Sequence, residues 1–229
     1  MIEIKPPALR QIVGEGLTGL ELPRLLAAAP LLALQNRGNR RPVMVLPGYG
    51  ASDASTILLR SYLSWLGYDV RGWGLGTNGG NVALLLPDVQ NAVEQMHKQA
   101  NQAVHLIGWS LGGVLAREVA RNNPVAVQQV ITMGSPIIGG PKYTSMAKIY
   151  LNNGVDLDEI ERRISERDRT PIKVPVTSVY SKNDGVVAWR ASIDHMTPGA
   201  DNIEVRTTHL GFGLSPEVFK LLAKKLSRT

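Results

Sequence analysis

The sequence predicts an α/β fold with a mostly parallel central sheet flanked by helices on both faces. Short runs of β-branched and aliphatic residues alternate with stretches of helical periodicity, which is typical of chains that build parallel sheets. The chain has 229 residues, of which 44% are apolar and 19% are charged. This length and composition suit a single domain with one sizeable core.

The predicted elements follow one another from residue 42 onward. Residues 42–47 form the first strand, which ends in the turn Gly48-Tyr49-Gly50. A helix with leucines at helical spacing comes next, and Gly67 closes it. The last helix begins at Ser215-Pro216-Glu217, because this run combines an N-cap, a proline at the first helical position and an acid. The other predicted strands are residues 68–72, 103–107, 127–133, 175–180 and 202–206.

Residues 1–41 precede this alternation and form a predicted N-terminal arm. Its apolar run, residues 25–34, is interrupted by Pro30 and is too short to span a membrane. We expect the arm to pack on the domain formed by residues 42–229, with packing on a partner as the alternative. Nothing at the N-terminus has the pattern of a signal peptide, and we expect a cytoplasmic protein.

An insertion of about residues 136–172 is too long for a simple crossover between two strands. It predicts one helix near residues 143–151 and a second helix that begins at Asp156, with Glu159 placed for a capping box. The second helix has a narrow apolar stripe, which suits a short helical lid resting on an apolar cleft. An ordinary surface excursion is the alternative.

The most informative motif is Gly108-Trp109-Ser110-Leu111-Gly112, which lies between the predicted strand 103–107 and a helical stretch. Small residues two positions either side of a serine are typical of a nucleophile elbow, where the backbone is strained and a Cβ would collide with a neighbour. The motif therefore predicts that Ser110 is the nucleophile of a serine hydrolase. A glycine-rich turn with an inert serine is the alternative.

A serine nucleophile needs a base to take its proton and an acid to orient that base. Of the four histidines, His209 follows the last predicted strand and precedes the final helix. We predict His209 as the base, with His195 as the alternative. The acid should follow the next-to-last strand, in the chain order serine, acid, histidine. Asp184 occupies that place, and Asp194 is its rival.

Two backbone N–H groups should stabilise the oxyanion that forms during attack on a carbonyl. We predict the N–H of Leu111, directly after the nucleophile, and the N–H of Tyr49, where two glycines let the chain bend close to the site. A tight turn without this role is the alternative for the second donor. We expect the acyl group of the substrate to contact Trp109, together with Trp73 and Leu75 in the loop after the second strand.

Four segments match the motifs of a known superfamily in residue type and in order along the chain: Leu46-Pro47-Gly48-Tyr49-Gly50, the elbow pentapeptide, Asp184-Gly185-Val186-Val187 and Thr208-His209-Leu210-Gly211. Through them, residues 42–226 resemble the α/β-hydrolase superfamily, and most of all its small bacterial lipase and esterase branch. The resemblance implies hydrolysis of carboxylic or lipid esters through an acyl-enzyme, without a cofactor or a metal. An acyltransferase or thioesterase with the same triad is the alternative, and a non-catalytic hydrolase fold that binds a partner is the third.

Composition narrows the functions further. The chain contains no cysteine, which excludes disulfides, thiol catalysis and thiolate metal sites. Its net charge is +6, but the basic residues are scattered and not interleaved with aromatic residues, so we expect no nucleic-acid partner. We expect a small-molecule or lipid ester as substrate. The positive charge also permits peripheral contact with anionic lipid.

Overall fold

The computed structural model describes residues 4–228 and contains a sheet of six strands with helices on both faces. The strands are β1 (Pro42–Leu46), β2 (Asp69–Gly72), β3 (Val104–Trp109), β4 (Val127–Met133), β5 (Val176–Tyr180) and β6 (Asp201–Glu204). Their order across the sheet is β2-β1-β3-β4-β5-β6, and every pair of neighbours is parallel. The predicted fold class is confirmed.

Helices connect these strands and also precede and follow them. The α-helices of the described chain are α1 (Leu9–Gly14), α2 (Glu21–Ala33), α3 (Ile57–Trp65), α4 (Val82–Ala100), α5 (Leu111–Asn122), α6 (Ala147–Asn152), α7 (Leu157–Arg167) and α8 (Pro216–Leu226). No helix in residues 4–228 is both long and apolar enough to cross a membrane.

The sheet carries a hydrophobic core on each face. On one face, Ile107 of β3 packs in a cluster with Leu63 of α3 and Phe219 of α8. On the other face, Leu106 of β3 belongs to a cluster with Leu115 of α5 and residues of α4. Alternate residues of β3 therefore serve opposite cores, because successive side chains of a strand point to opposite faces. This double packing holds β3 in the middle of the molecule.

The carboxyl ends of the inner strands meet at one edge of the sheet. Leu46 of β1 pairs with Gly108 of β3, and Trp109 of β3 pairs with Met133 of β4. The parallel register of β5 and β6 brings their ends together in the same way. Loops leave the sheet from these neighbouring positions, so residues that are distant in the sequence come close together there.

The described part of the N-terminal arm, residues 4–41, packs against later elements of the chain. Helix α2 lies against α8, and its Leu32 is buried in the core below. The 3₁₀ turn Glu15–Leu20 lies against a second 3₁₀ turn, Leu210–Gly213, which directly follows His209. The arm therefore reaches the edge of the sheet where the predicted base is located.

The insertion differs in detail from its prediction. The first predicted helix, near residues 143–151, is a 3₁₀ turn over Gly140–Tyr143 followed by the short helix α6. Helix α7 begins after Asp156 as predicted, and Asp156 accepts hydrogen bonds from the N–H groups of Asp158 and Glu159. The capping box is wrong in one half, because the Glu159 carboxylate instead binds the exposed side chains of Arg162 and Arg163.

Candidate active site

Ser110 stands at a strained turn between β3 and α5. Its backbone has φ 53° and ψ −122°, and a positive φ is uncommon for a residue that carries a side chain. The N–H of Ser110 donates to the carbonyl oxygen of Met133 at 2.8 Å, which ties the turn to the neighbouring strand β4. This conformation is the strained strand-to-helix turn that a nucleophile elbow requires.

The two glycines of the elbow motif are required by contacts between backbone segments. A Cβ on Gly108 would lie 2.3 Å from the Cα of Gly113. A Cβ on Gly112 would lie 2.3 Å from the carbonyl oxygen of Leu46, the last residue of β1. Neither backbone neighbour can turn away as a flexible side chain could. Strand β3, helix α5 and strand β1 therefore approach each other as closely as glycine allows.

His209 and Asp184 form a buried, hydrogen-bonded pair. The imidazole Nδ1 lies 2.8 Å from Oδ2 of Asp184, and the two residues are 5% and 1% exposed. The second carboxylate oxygen, Oδ1, accepts hydrogen bonds from the N–H groups of Val186 and Val187 at 2.9 and 2.7 Å. A proton held on Nδ1 by Asp184 leaves Nε2 of the imidazole free to act as a base.

This pair lies close to Trp109, the residue before the predicted nucleophile Ser110. The indole Nε1 of Trp109 donates to the carbonyl oxygen of His209 at 3.2 Å. Gly134 follows β4 and packs on the pair, since a Cβ there would lie 2.8 Å from Oδ2 of Asp184 and 3.1 Å from Nδ1 of His209. Within residues 4–228 no hydrogen bond joins Ser110 Oγ to His209. In hydrolases this bond is often long until substrate binds.

The loop after β1 lies against Ser110. A Cβ on Gly48 would come within 3.1 Å of the Cβ of Ser110, so the backbone of this loop reaches that residue. Leu111 is the first residue of α5, a position where an N–H has no acceptor within its helix. In the described part of the chain, neither this N–H nor that of Tyr49 donates a hydrogen bond. Both predicted oxyanion donors therefore remain available to bind an oxygen atom of a substrate.

Asn78 fixes the same loop, a role that the sequence analysis missed. It is fully buried, and its Nδ2 donates to the carbonyl oxygen of Pro47 at 2.9 Å. Its backbone carbonyl accepts from Gly50 at 2.9 Å, and its backbone N–H donates to Ala51 at 2.8 Å. Asn78 thereby holds the loop on both sides of Tyr49. One asparagine among the glycines of residues 74–80 gives no sequence signal of this role.

The rival residues of the sequence analysis have other partners. Asp194 is 4% exposed and forms an ion pair with the buried Arg117 of α5. Burial by itself raises the pKa of Asp194, but Arg117 and the bonds from Thr197 outweigh burial and leave this pKa below its usual range. His195 is exposed, and His105 is buried in β3 beside Gln129. The structure brings none of these three side chains to the pair formed by Asp184 and His209.

The predicted substrate contacts differ in their exposure. Trp109 and Leu75 are partly exposed, but Trp73 is 2% exposed and packs in the core. Because Trp73 also donates from Nε1 to the carbonyl oxygen of its loop neighbour Gly76, its side chain supports the loop. The substrate contact predicted for Trp73 is therefore corrected to a structural role.

The insertion reaches the loop that follows β1. The ring of Tyr150 in α6 lies 6.0 Å, centroid to centroid, from the ring of Tyr49. Tyr49 is 50% exposed. The phenol of Tyr150 is about half-buried, and burial raises its pKa above the usual range. The two rings form an aromatic rim beside the loop that follows β1.

Comparison of the chain with known proteins gives a family and relatives that match part of the chain. A model of the palmitoyl protein thioesterase family matches residues 42–191. The pimeloyl-[acyl-carrier protein] methyl ester esterase of Aliivibrio fischeri is 31% identical over 101 residues, which cover 44% of this chain and 39% of that protein. The match therefore spans well under two thirds of that relative.

Solved structures share the fold over most of the chain. The mature form of the lipase BlEst2 from Bacillus licheniformis has a TM-score of 0.67 at 14% identity, covering 84% of this chain and 94% of that one. A monoacylglycerol lipase from Paleococcus ferrophilus has a TM-score of 0.61 at 16% identity, covering 84% and 96%. The shared fold is that of the α/β-hydrolase superfamily.

Proposed function

The chain belongs to the palmitoyl protein thioesterase family and is an α/β-hydrolase of the esterase, lipase or thioesterase type, and we propose that it hydrolyses carboxylic esters through an acyl-enzyme on Ser110. In this proposal Ser110 is the nucleophile, His209 the general base and Asp184 the acid that orients the histidine. The N–H groups of Leu111 and Tyr49 stabilise the oxyanion.

Acylation begins when Nε2 of His209 takes the hydroxyl proton of Ser110 as Oγ forms a bond to the acyl carbon. The carbonyl electrons move onto the oxygen, where the N–H groups of Leu111 and Tyr49 donate hydrogen bonds. The intermediate then breaks its bond to the alcohol oxygen, and the alcohol leaves with the proton from the imidazolium. Asp184 keeps the imidazole oriented and stabilises its positive charge.

Deacylation repeats these steps with water as the nucleophile. His209 takes a proton from water while the water oxygen attacks the acyl carbon. The bond to Oγ then breaks, and the proton returns to Ser110 as the carboxylic acid leaves. No redox partner is consumed, because each step moves only protons and acyl groups.

The observation that carries this proposal is the 2.8 Å hydrogen bond between Nδ1 of His209 and Oδ2 of Asp184. It is supported by the strained backbone of Ser110 on the same edge of the sheet. A buried histidine oriented by a carboxylate beside a nucleophile elbow is the arrangement that acyl transfer needs.

A covalent probe tests the assignment directly. An organophosphonate should modify the protein once, and peptide mapping should find the adduct on Ser110. The Ser110→Ala variant should resist the probe and lose ester hydrolysis by about 10⁶-fold. Ser64 lies exposed on α3, and Ser64→Ala is the matched control that should label like the wild type. An adduct on another serine, or none, would defeat the assignment.

Thioester hydrolysis by the same residues is the second candidate, and the family match favours it. Oxygen esters and thioesters of one acyl chain, compared at several chain lengths, separate the two activities. A higher kcat/KM for the thioester at every chain length would make the protein a thioesterase. Added alcohols as competing acceptors test acyl transfer, since a transferase would form new esters in place of the free acid.

A further inference from the structure

Glu15 of the N-terminal arm joins the two loops that carry Asp184 and His209. Its Oε1 accepts hydrogen bonds from the N–H groups of Gly185 and His209, both at 2.7 Å. Its Oε2 accepts a third bond, from the N–H of Leu210 at 2.9 Å. One carboxylate therefore binds the residue after the proposed acid and the proposed base itself.

The arm packs tightly against the loop that carries Asp184, which is called the acid loop below. A Cβ on Gly185 would lie 2.3 Å from the carbonyl oxygen of Gln11 in α1. The side-chain Nε2 of Gln11 donates to the carbonyl oxygen of Lys182 at 2.7 Å, at the other end of the loop. The family model matches residues 42–191, so the arm's half of this packing lies outside the region that the family match covers.

Other contacts attach the arm without reaching the pair. The hydroxyl of Thr207 donates to the buried carboxylate of Glu21 at 2.8 Å. The hydroxyls of Thr18 and Thr208 lie 2.6 Å apart, and Leu32 is buried in the core. Because these anchors remain when Glu15 is changed, its effect on the two loops can be measured separately from attachment of the arm.

We propose that Glu15 is a positioning residue that sets the imidazole of His209 relative to Asp184 and Ser110; this rests on the proposed function. His209 precedes the 3₁₀ turn Leu210–Gly213, and Glu15 binds the N–H of His209 and that of Leu210, the first residue of the turn, where a negative charge is favourable. The turn and the acid loop are thereby held on a single anion. Catalysis is sensitive to such placement, because a shift of about 1 Å costs about 100-fold in rate.

The test replaces Glu15 in the full-length protein. Glu15→Ala should lower kcat and the rate of organophosphonate labelling by about 10- to 100-fold, with KM nearly unchanged. Glu15→Gln keeps a carbonyl acceptor and should recover part of the loss. Glu21→Gln is the matched control, since it changes the other inward-facing acid of the arm. It should lower the melting temperature and leave kcat near the wild-type value.

A double-mutant cycle gives the decisive result. If Glu15 acts through His209, Glu15→Ala should cost nothing further in the His209→Ala background. A further tenfold loss there, or wild-type kinetics in Glu15→Ala, would overturn the role of Glu15. If Ser110→Ala retained activity, the proposed function would fail instead, so the two failures can be distinguished.

The outward surface of the arm carries a second, independent observation. Every exposed residue from Ala8 to Leu34 is apolar or glycine, except Arg10 and Arg24. Nine of them are large aliphatic residues, with exposures that reach 75% at Leu9 and 79% at Leu34. Apolar surface of this extent marks a docking site, because isolated exposed hydrophobic residues are normal and continuous ones are not.

Charge indicates what docks there. The only acids of residues 4–41 are Glu15 and Glu21, and both point inward to the bonds described above. The exposed charges that remain on this segment are therefore positive. Arg24 pairs with Glu21 at 3.1 Å, but Glu21 is itself buried, so two copies of the protein would bring their arginines together without an exposed acid on either surface. A protein partner would find no exposed side-chain hydroxyl or amide from Ala8 to Leu34. Lipid acyl chains need no hydrogen bonds.

We infer that residues 8–34 dock on an anionic lipid surface, with the aliphatic side chains among the acyl chains and the arginines at the headgroups. The full-length protein should co-sediment with vesicles of phosphatidylcholine containing 30% phosphatidylserine, and binding should weaken in high salt. The triple variant Leu9→Ser, Val13→Ser and Leu26→Ser should bind about tenfold less. Val125, which is 77% exposed outside the arm, supplies the control Val125→Ser.

Three results would overturn this second inference. The first is the absence of vesicle binding, and the second is equal binding by the triple variant. The third is a doubled mass in light scattering that the triple variant abolishes, which would make the surface a contact between two copies. Equal hydrolysis of a short soluble ester by the triple variant and the wild type shows that the site is intact in both.

Discussion

The two sides of the candidate site are built in different ways. On the nucleophile side, Ser110 is fixed by backbone packed against backbone, as at Gly108 and Gly112. On the acid–base side, the loops of Asp184 and His209 are joined by a side chain of the N-terminal arm. Glu15 lies 170 positions from one of its partners and 195 from another. Backbone packing leaves a local sequence signature, whereas a bond between distant segments leaves none.

The largest expected effect separates Asp184, on the acid–base side, from its rival Asp194, which lies elsewhere. Asp184→Asn should lower kcat by about 10⁴-fold with little loss of stability, because the imidazole loses its orientation. Asp194→Asn should instead lower the free energy of unfolding by about 3 kcal/mol, because the buried Arg117 then keeps only its longer ion pair, with Asp168 at 3.9 Å. Ester hydrolysis and urea unfolding of both variants check this. A folded, inactive Asp194→Asn protein beside an active Asp184→Asn protein would reverse the assignment.

The same contrast explains how much could be predicted from the sequence. The six strands and the elbow were predictable, because each depends on periodicity or on glycines at fixed local spacing. Asp184 and His209 were predicted from strand order and from the residues beside them, and the structure brings these two side chains together. Glu15 and Asn78 were not predictable, since their roles depend on which distant backbone groups the fold brings to them. Trp73 was misassigned because an aromatic residue in a loop has the same sequence signal whether it points outward or into the core.

The next prediction compares the same substitution, glycine to alanine, on the nucleophile side and on the acid–base side of the site. A Cβ would lie 2.3 Å from backbone at both Gly108 and Gly185. Gly108→Ala cannot be relieved without distorting the elbow, so we expect a loss of about 4 kcal/mol in stability. Gly185→Ala can be relieved by displacement of α1, so the protein should fold and lose kcat about as Glu15→Ala does. Unfolding curves and limited proteolysis of the arm measure both results.

Equal stability of the two alanine variants would contradict this comparison, since it would mean that the arm yields no more easily than the elbow. A double variant, Gly185→Ala with Glu15→Ala, sharpens the test. Displacement of the arm removes both contacts at once, so the second change should add almost nothing to the loss of kcat.

A smaller effect concerns β3, the strand that leads into Ser110. Burial, with a contribution from the positive charge of Arg41, lowers the pKa of His105 from 6.5 to about 4. The unfolded chain therefore binds a proton between pH 6.5 and 4 that the folded chain does not. The free energy of unfolding is therefore highest, as far as His105 determines it, above pH 6.5. It falls as the pH falls toward 4, by about 3 kcal/mol at most.

Urea unfolding at pH 7, 5 and 4 measures this loss. His105→Gln can keep the hydrogen bond with Gln129, and its stability should depend less on pH over the same interval. An identical pH dependence in the variant and the wild type would assign the acid sensitivity to other groups. That result would contradict the prediction that the buried His105 makes the protein less stable at low pH.

The smallest effect tests Asn78, a side chain that holds the loop beside Ser110. Asn78→Ala removes the donor to Pro47 and the acceptor of the Gly80 N–H, so the loop that carries the Tyr49 N–H becomes less well placed. We expect a loss of about tenfold in kcat, less than the 100-fold or more that follows loss of an oxyanion donor itself. The KM should hardly change, because the loop binds charge that develops only in the transition state.

Asn81 is the matched control for this prediction, since it is an asparagine in the same connection that caps α4 through the N–H of Leu84. Asn81→Ala should lower stability by about 1 kcal/mol and leave kcat unchanged. A loss of kcat in Asn81→Ala as large as in Asn78→Ala would mean that the whole loop, not one amide, positions the donor. If neither variant changes kcat, the backbone contact of Gly48 with Ser110 is sufficient to hold the loop, and the nucleophile side is fixed by backbone alone.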